Sequence, residues 1–459
     1  MLFNSQIFIL VFFPITIFTY YLLPSQILRI RCLIISSFVF YAYWDIRFLP
    51  LLILSICSNW TISIVFCALK KNWIIYIGIA LNLLSIGVFK YYGFFTDILL
   101  EFTQIKISHS EIILPLGISF FTFQQISYLV DLKRNQAGKY KFEEFALFIT
   151  FFPQLIAGPI VRHNEIINQF SKNPFSQDMH EKISRGIILF TLGLGKKVFL
   201  ADEFGIINDE GFQSMFHGGE LSTASAWYFA LSYTLQLYFD FSAYSDMAIG
   251  LGAIFGFQLP MNFNSPYKSS NLQEFWRRWH LTLSRFFRDY LYIPLGGSKN
   301  GYIKYVIAAL ITMTLCGLWH GAGWSFVLWG FLHGCGLIIY HLWQKTGFKL
   351  PTLVAWLITF IFVVCGWVLF KVEDLNIAFD ILNKMFVINT LPILRLYDQN
   401  LMILIIALII SIFGPTNYQL AYEKAKNNNL TLYPISFLLF VSILWVGGER
   451  EIEFIYFQF

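Results

Sequence analysis

The sequence predicts an all-α integral membrane protein, and three features of it support that prediction. Hydrophobic residues make up 57% of the 459 residues, charged residues only 13%, and the mean hydropathy is +0.62. An ordinary soluble domain carries about 25% charged residues. Apolar runs near the length of about 20 residues that spans a bilayer also recur from one end of the chain to the other.

Each apolar run is predicted to be a helix, because a helix satisfies its own backbone hydrogen bonds in lipid. A transmembrane β-barrel would instead show segments of about ten residues that alternate in hydrophobicity. The sequence therefore predicts about 10–13 membrane helices. The runs lie at residues 5–23, 30–44, 47–69, 73–90, 143–160, 183–200, 224–256, 302–320, 323–343, 352–370, 400–413 and 433–447.

The chain is predicted to form a single domain over residues 1–459, because no Gly/Ser/Pro-rich linker and no fixed-period repeat divides it. The first apolar run lacks a positive charge before Arg29 and a small-residue cleavage site after it. It is predicted to be the first span and not a removable signal peptide. The six cysteines lie in apolar runs without zinc-type spacing, so we expect buried hydrophobic residues and no disulfides.

Two apolar segments, 112–131 and 151–162, are interrupted by proline and glycine. Irregular backbone at membrane depth is tolerated only where it is buried in protein or lines a cavity. Both segments are therefore predicted to be re-entrant or interior. The basic stretches 133–141 and 268–304 are predicted to face the cytoplasm, since Lys and Arg are enriched in cytoplasmic loops.

Residues 271–297 are too charged to span a bilayer but are strongly amphipathic. If they form a helix, Trp276 and His280 face the same side, whereas Arg277 and Arg278 fall mainly on the opposite side. We expect this helix at the membrane interface, with His280 pointing inward. Its arginines either extend to lipid headgroups or bind phosphates such as those of a coenzyme A thioester, and the sequence leaves both open.

Residues 315–334 hold His320, between Trp319 and Gly321, inside two apolar helices. An ionisable group at that depth is costly and usually functional. Glycines four residues apart, at 317 and 321 and at 330 and 334, permit close packing around it, where a neutral imidazole suited to act as a general base is favoured. The alternatives are a core histidine bonded to a carbonyl, or a metal ligand with Cys316; only proximity recommends His333 and His341.

Polar side chains also interrupt the run at 232–252. Gln236, Asp240 and Tyr244 follow at intervals of four residues and therefore share one helical face. Such a stripe either lines a cavity or channel or forms a buried hydrogen-bond network that fixes packing.

Several long motifs, in order along most of the chain, resemble the membrane-bound O-acyltransferase family. They are FFPQLIAGPI (151–160), FDFSAYSDMAIGLG (239–252), PMNFNSPYKSSNLQEFWRRWHLTLSRFFRDYLYIPLGG (260–297), GLWHG (317–321) and the closing FIYFQF (454–459). The greatest similarity is to the bacterial branch of alginate O-acetylases and peptidoglycan O-acetyltransferases, and more distantly to the D-alanyl transferase of teichoic acid.

The resemblance implies a ring of helices around a central funnel in the bacterial cytoplasmic (inner) membrane. His320 matches the catalytic histidine of the family and His280 its second histidine. Acetyl groups from a cytoplasmic thioester, acetyl-CoA or similar, would reach a hydroxyl with the help of an extracytoplasmic partner of the SGNH-hydrolase type. We expect no bound cofactor, metal or nucleic acid. Residues that bind substrate are expected among Asn271, Trp276, Arg277, Arg278, Trp319, Asp240 and Tyr244.

Two other functions stay open from the sequence. A transporter or flippase would use the stripe at 232–252 as its pathway without covalent chemistry, although neither inverted repeats nor matched charge pairs are visible. A catalytically idle scaffold of an envelope enzyme complex is the second. The acceptor polysaccharide is met by the partner and not by these helices; the richness in Phe, Ile, Lys and Asn favours a cell-wall acceptor slightly.

Overall fold

The computed structural model describes residues 1–103, 112–216, 222–387, 399–424, 429–446 and 454–455. Every regular element in these residues is helical, which confirms the all-α prediction. The chain divides into two compact units, the first formed by 1–194, 244–261 and 424–449, and the second by 195–243, 262–423 and 450–459. Each unit takes residues from distant parts of the chain, and the single domain stays a prediction.

The α-helices range from three residues (Asn417–Gln419) to 32 residues (Thr223–Ile254), and π-helical segments extend several of them, such as Lys197–Ala201 and Arg288–Tyr292. In chain order the α-helices are α1 (Phe13–Leu22), α2 (Gln26–Ala42), α3 (Leu49–Leu69), α4 (Asn72–Ile86), α5 (Tyr92–Thr103), α6 (Ile118–Lys133), α7 (Phe142–Thr150), α8 (Phe152–Leu155), α9 (His163–Ile166), α10 (Met179–Lys196), α11 (Asp202–Phe216), α12 (Thr223–Ile254), α13 (Leu272–Trp276), α14 (Leu281–Phe287), α15 (Tyr302–His320), α16 (Trp324–Thr346), α17 (Thr352–Lys371), α18 (Leu375–Phe386), α19 (Gln399–Phe413), α20 (Asn417–Gln419) and α21 (Asn429–Val446).

Within the described residues, five helical stretches are long and apolar enough to cross a membrane, and one bent pair adds a sixth. This is fewer than the 10–13 expected, because several predicted runs are short or polar helices. The run at 143–160, for example, is not one span, since it is divided into α7 and α8 at Phe151. The stretches are Ile46–Leu69, Asn72–Thr103, Tyr302–His320, Trp324–Thr346 and Thr352–Lys371, with the bent pair Leu401–Phe413 and Asn417–Glu423.

The first unit is built around α6, which is buried along nearly its whole length. Gly117 starts this helix with φ +71°, and a Cβ there would lie 2.7 Å from the Leu155 carbonyl oxygen, so only glycine fits. Residues 151–161 are buried throughout. The prediction that 112–131 and 151–162 are interior segments and not lipid-facing spans is therefore confirmed.

The second unit contains the tight pair α15 and α16. A Cβ on Gly317 would overlap the Phe326 carbonyl oxygen, and a Cβ on Gly330 would overlap that of Met313. The close packing predicted from the glycine spacing is confirmed at these positions, because the missing side chains let the two backbones touch. Helix α17 packs against α16 and completes the part of the unit that surrounds His320.

The prediction of a single amphipathic helix over 271–297 is wrong. The segment forms α13, a turn at 277–280, then α14 and a π-helical continuation. The break occurs because His280 adopts a left-handed backbone conformation, with φ +43°. The predicted sidedness nevertheless holds, since Trp276 and His280 are buried and Arg277 is exposed.

Candidate functional site

His320 is the last residue of α15 and lies almost entirely inside the second unit, 2% exposed. Gly321 follows it with extended backbone, and a Cβ on Gly321 would overlap the Phe326 ring. The glycine therefore lets the chain leave the helix directly against α16. Because the helix ends at a tightly packed turn, the position of the imidazole is well defined.

Aromatic rings surround the imidazole of His320. Its centroid lies 4.8 Å from that of Trp319, 5.4 Å from that of Trp329 and 5.1 Å from that of Phe370. All three rings meet it edge-on, at interplanar angles of 72°, 89° and 69°. Rings from α15, α16 and α17 therefore form aromatic walls around His320.

His280 caps helix α14 and packs near the same cluster. Its Nδ1 accepts a hydrogen bond from the Leu283 backbone N–H at 3.3 Å. Its ring lies 4.7 Å from Phe241 and 6.3 Å from Trp319. Burial lowers the pKa of His280 to about 3, so this imidazole is neutral at physiological pH. His280 therefore caps the start of α14 and contacts Trp319, the residue next to His320.

Asn262 holds the turn that carries His280, and the sequence did not single it out. Its carbonyl accepts from the Leu281 N–H at 2.9 Å, and its side chain accepts from the Thr282 hydroxyl at 2.9 Å. These hydrogen bonds satisfy the start of α14 and stabilise the left-handed residue before it. The PMNFN motif before the basic stretch was the only sequence signal for this role.

Trp276 contacts two residues of α16, one of which packs against His320. Its indole N–H donates to Nδ1 of His333 at 3.3 Å, and its ring lies 5.9 Å from that of Trp329. His333, which only proximity recommended, is thus joined to the cluster around His320 through Trp329, 4.7 Å away.

Three other predicted binding residues lie at the surface of α13. Asn271 is its N-cap and accepts from the Glu274 N–H at 2.8 Å. Arg278 pairs with Glu274 at 2.9 Å and donates to the Asn264 carbonyl at 3.2 Å, while Arg277 is exposed. These contacts are local to α13 and the preceding loop, so a role for these three in substrate binding stays a prediction.

Asp240, from the polar stripe on α12, is part of a buried network of ion pairs and hydrogen bonds in the second unit. Asp240 pairs with Lys197 at 2.8 Å and accepts from the Ile455 backbone N–H at 2.8 Å. Lys197 also pairs with Asp202 at 2.7 Å. This arrangement favours the interpretation as a packing network over that as a channel, because the carboxylate is already paired.

Tyr244, the last predicted member of the stripe, lies in the first unit and stacks on Phe3 at 4.6 Å. Gln236 accepts from the Asn208 side chain at 2.8 Å in the second unit. Of the motif at 454–459, only 454 and 455 are described, and the rest lies outside the described residues.

The chemistry available to the cluster is that of an imidazole base among aromatic walls. Across the part of the chain that the structure describes, no group of three or more His, Cys, Asp or Glu side chains could hold a metal ion. Within the described residues, Cys316 and His320 therefore have no third such side chain beside them.

Comparison with known proteins identifies the family of this chain. The family model described as the membrane-bound O-acyltransferase family matches residues 116–378, a range that includes both His280 and His320. The peptidoglycan O-acetyltransferase of Helicobacter pylori is 37% identical, covering 100% of this chain and 98% of that protein. The probable alginate O-acetylase of Pseudomonas aeruginosa is 39% identical over 87% of this chain and 78% of its own length.

A more distant relative is the teichoic acid D-alanyltransferase of Bacillus subtilis, 28% identical over 56% of this chain and 68% of that protein. The family match covers more than half of the chain, and the similarity to the Helicobacter pylori protein extends over nearly its full length. This chain belongs to the membrane-bound O-acyltransferase family.

Proposed function

We propose that this protein transfers acetyl groups from a cytoplasmic thioester, acetyl-CoA or a similar donor, for O-acetylation of a cell-envelope or secreted polysaccharide. Peptidoglycan is the first candidate acceptor and an alginate-like polymer the second. The names of the relatives support this pair of acceptors, and the similarity to the Helicobacter pylori protein over the whole chain favours peptidoglycan.

The observation that carries the proposal is the burial of His320 in the aromatic cluster at the end of α15. His320 takes the proton from a hydroxyl supplied from the extracytoplasmic side as the hydroxyl oxygen attacks the thioester carbonyl carbon. The carbon–sulfur bond then breaks, and the proton held by His320 passes to the leaving thiolate. Such base catalysis contributes about 10²–10⁴ in rate, so positioning and oxyanion donors supply the rest.

His280 acts in this proposal as a positioning residue. It fixes the start of α14 and contacts Trp319, which in turn packs against His320. Trp276 extends the same cluster through Trp329. A neutral His280 suits this role, because it adds no charge that would repel the protonated form of His320 during transfer.

The family and the charge distribution support the following setting for the reaction. The basic stretch 268–304, with seven Lys or Arg against two acidic residues, faces the cytoplasm and the phosphates of the donor. A funnel between the helices brings the donor and the hydroxyl that receives the acetyl group together in the bacterial inner membrane. An extracytoplasmic SGNH-type partner completes delivery to the polysaccharide.

The test replaces His320 with Ala or with the similarly sized Gln, and replaces the exposed His180 with Ala as the matched control. Purified protein in lipid, with the candidate partner, receives labelled acetyl-CoA. We expect both His320 variants to stay folded and to lose transfer by at least about 10²-fold, and the His180 variant to retain it.

Retained acetyl transfer in the folded His320 variants would remove this residue from the catalytic role. Movement of an unmodified solute without labelled product would instead indicate a transporter. Restoration of polymer acetylation in cells by the His320→Ala protein would indicate a scaffold without catalysis of its own.

A further inference from the structure

His333 is a second buried histidine beside the cluster around His320, and the proposed chemistry does not use it. It is 1% exposed and lies on α16, which is long and apolar enough to cross a membrane. An ionisable side chain buried in such a helix is costly and usually functional. Its contacts with two tryptophans indicate what it does.

The first contact is a hydrogen bond that joins α13 to α16. The indole N–H of Trp276 donates to Nδ1 of His333 at 3.3 Å. An indole N–H is a donor only, so this Nδ1 carries the lone pair of the imidazole. Phenylalanine at position 333 would preserve an aromatic ring, but it would leave the buried Trp276 N–H without this acceptor, which is unfavourable.

The second contact links this hydrogen bond to the proposed base. The ring of Trp329 lies 4.7 Å from that of His333 and 5.9 Å from that of Trp276. The same ring meets the imidazole of His320 edge-on, at 5.4 Å and 89°. Trp329 therefore contacts both members of the hydrogen-bonded pair as well as the base.

We propose that His333 is a positioning residue for acetyl transfer, an inference that rests on the proposed function. Its hydrogen bond with Trp276 fixes the two rings that pack against Trp329, because a hydrogen bond weakens steeply when its angle changes. Trp329 in turn holds the imidazole of His320 in the orientation that removes the proton from the hydroxyl. His333 itself touches no reacting atom.

The first test compares two replacements of His333 that separate hydrogen bonding from packing. His333→Phe keeps a ring of similar size and removes the acceptor. His333→Asn loses the ring but keeps a side-chain oxygen that accepts from the Trp276 N–H. Purified protein in lipid, with the candidate partner, receives labelled acetyl-CoA, and kcat is expressed per folded molecule.

We expect His333→Phe to lower kcat by about 10–10²-fold with little change in KM for acetyl-CoA, since a small misplacement of a catalytic group has an effect of this order. His333→Asn should retain a higher kcat than His333→Phe. A role in packing alone predicts the reverse order, because phenylalanine fills the volume of the imidazole better than asparagine does.

The second test removes the other partner of the hydrogen bond. Trp276→Phe should lower kcat by a factor similar to that of His333→Phe, and the double variant should lose no more than the worse single variant. Effects that depend on one shared interaction do not multiply, whereas independent effects do. Losses that multiply in the double variant would therefore overturn the proposal.

The matched control is His341→Phe, the same substitution eight residues later on α16. His341 packs on Tyr305 at 4.3 Å, away from the cluster around His320. We expect it to leave kcat and KM unchanged. Full kcat in folded His333→Phe would overturn the proposal, and so would a higher kcat for His333→Phe than for His333→Asn. If His333→Phe does not fold, full kcat in Trp276→Phe has the same meaning, because that variant removes the same hydrogen bond.

These outcomes are distinct from failure of the proposed function. If wild-type protein with its partner transfers no acetyl label, the acetyltransferase proposal fails, and the positioning role of His333 with it. If wild-type protein transfers label and the His320 variants do not, but His333→Phe and Trp276→Phe both keep kcat, only the positioning role fails.

Discussion

Replacement of Lys197 by Met tests the buried network of the second unit. Lys197 pairs with Asp240 at 2.8 Å and with Asp202 at 2.7 Å, and its side chain is 4% exposed. Removal of one partner from a buried pair leaves an uncompensated charge and costs about 3–5 kcal/mol. The variant also leaves Asp240, which accepts from the Ile455 backbone N–H, without the cation beside it.

The matched control is Lys182→Met on α10, since Lys182 forms an exposed pair with Asp178 at 2.8 Å. An exposed pair of this kind contributes about 0–1 kcal/mol. Thermal unfolding of the purified proteins in the same detergent compares the two. We expect a large fall in the midpoint for Lys197→Met and little change for Lys182→Met.

A rescue variant sharpens the test. The double variant Lys197→Met with Asp240→Asn removes both charges and keeps an oxygen that accepts from the Ile455 N–H. It should recover most of the stability, because a neutral replacement of a buried pair costs much less than a broken pair. If Lys197→Met unfolds no earlier than Lys182→Met, or if the double variant is less stable than the single one, the network does not hold the unit together.

Two further predictions concern single side chains. Burial raises the pKa of Asp202 to about 7 from an unfolded value of 3.8, so its contribution to stability is complete below about pH 4 and is lost as the pH rises through about 7. The Asp202→Asn variant should therefore flatten the dependence of the thermal midpoint on pH in that range. An unaltered slope would contradict this pKa shift. Asn271→Ala should cost about 1 kcal/mol of stability, because it removes the cap on the Glu274 N–H. Acetyl transfer per folded molecule measures whether Asn271 also binds substrate, and a loss of kcat would show that capping is not its only role.

The sequence predicts well where a local pattern has only one physical solution. The glycines of α15 and α16 predict close packing because backbones approach only where Cβ atoms are missing, and Gly317 and Gly330 meet the partner helix in this way. The Pro and Gly in 112–131 predict an interior helix, and α6 is buried. Sidedness in 271–297 is also correct, since polar and apolar faces follow from periodicity alone.

The sequence predicts local conformation and side-chain partners poorly where residues far apart in the chain determine them. A continuous helix over 271–297 satisfies the local pattern, but Asn262 supplies hydrogen bonds that favour a left-handed His280 and divide it. Similarly, periodicity places Asp240 on a polar stripe but does not reveal that Lys197, 43 positions earlier in the numbering, neutralises it.

The sequence by itself determined that this is a membrane protein of the helical class, which family it belongs to, and around which histidine the proposed chemistry is built. It could do so because composition, periodicity and long motifs are properties of the chain. Tertiary structure alone decided what surrounds that histidine, namely the edge-on rings of Trp329 and Phe370 and the nearby His280 that caps α14. The physical reason is that direction matters in such a site. A hydrogen bond or a ring contact depends on where side chains from separate helices point, and spacing along the chain does not specify it.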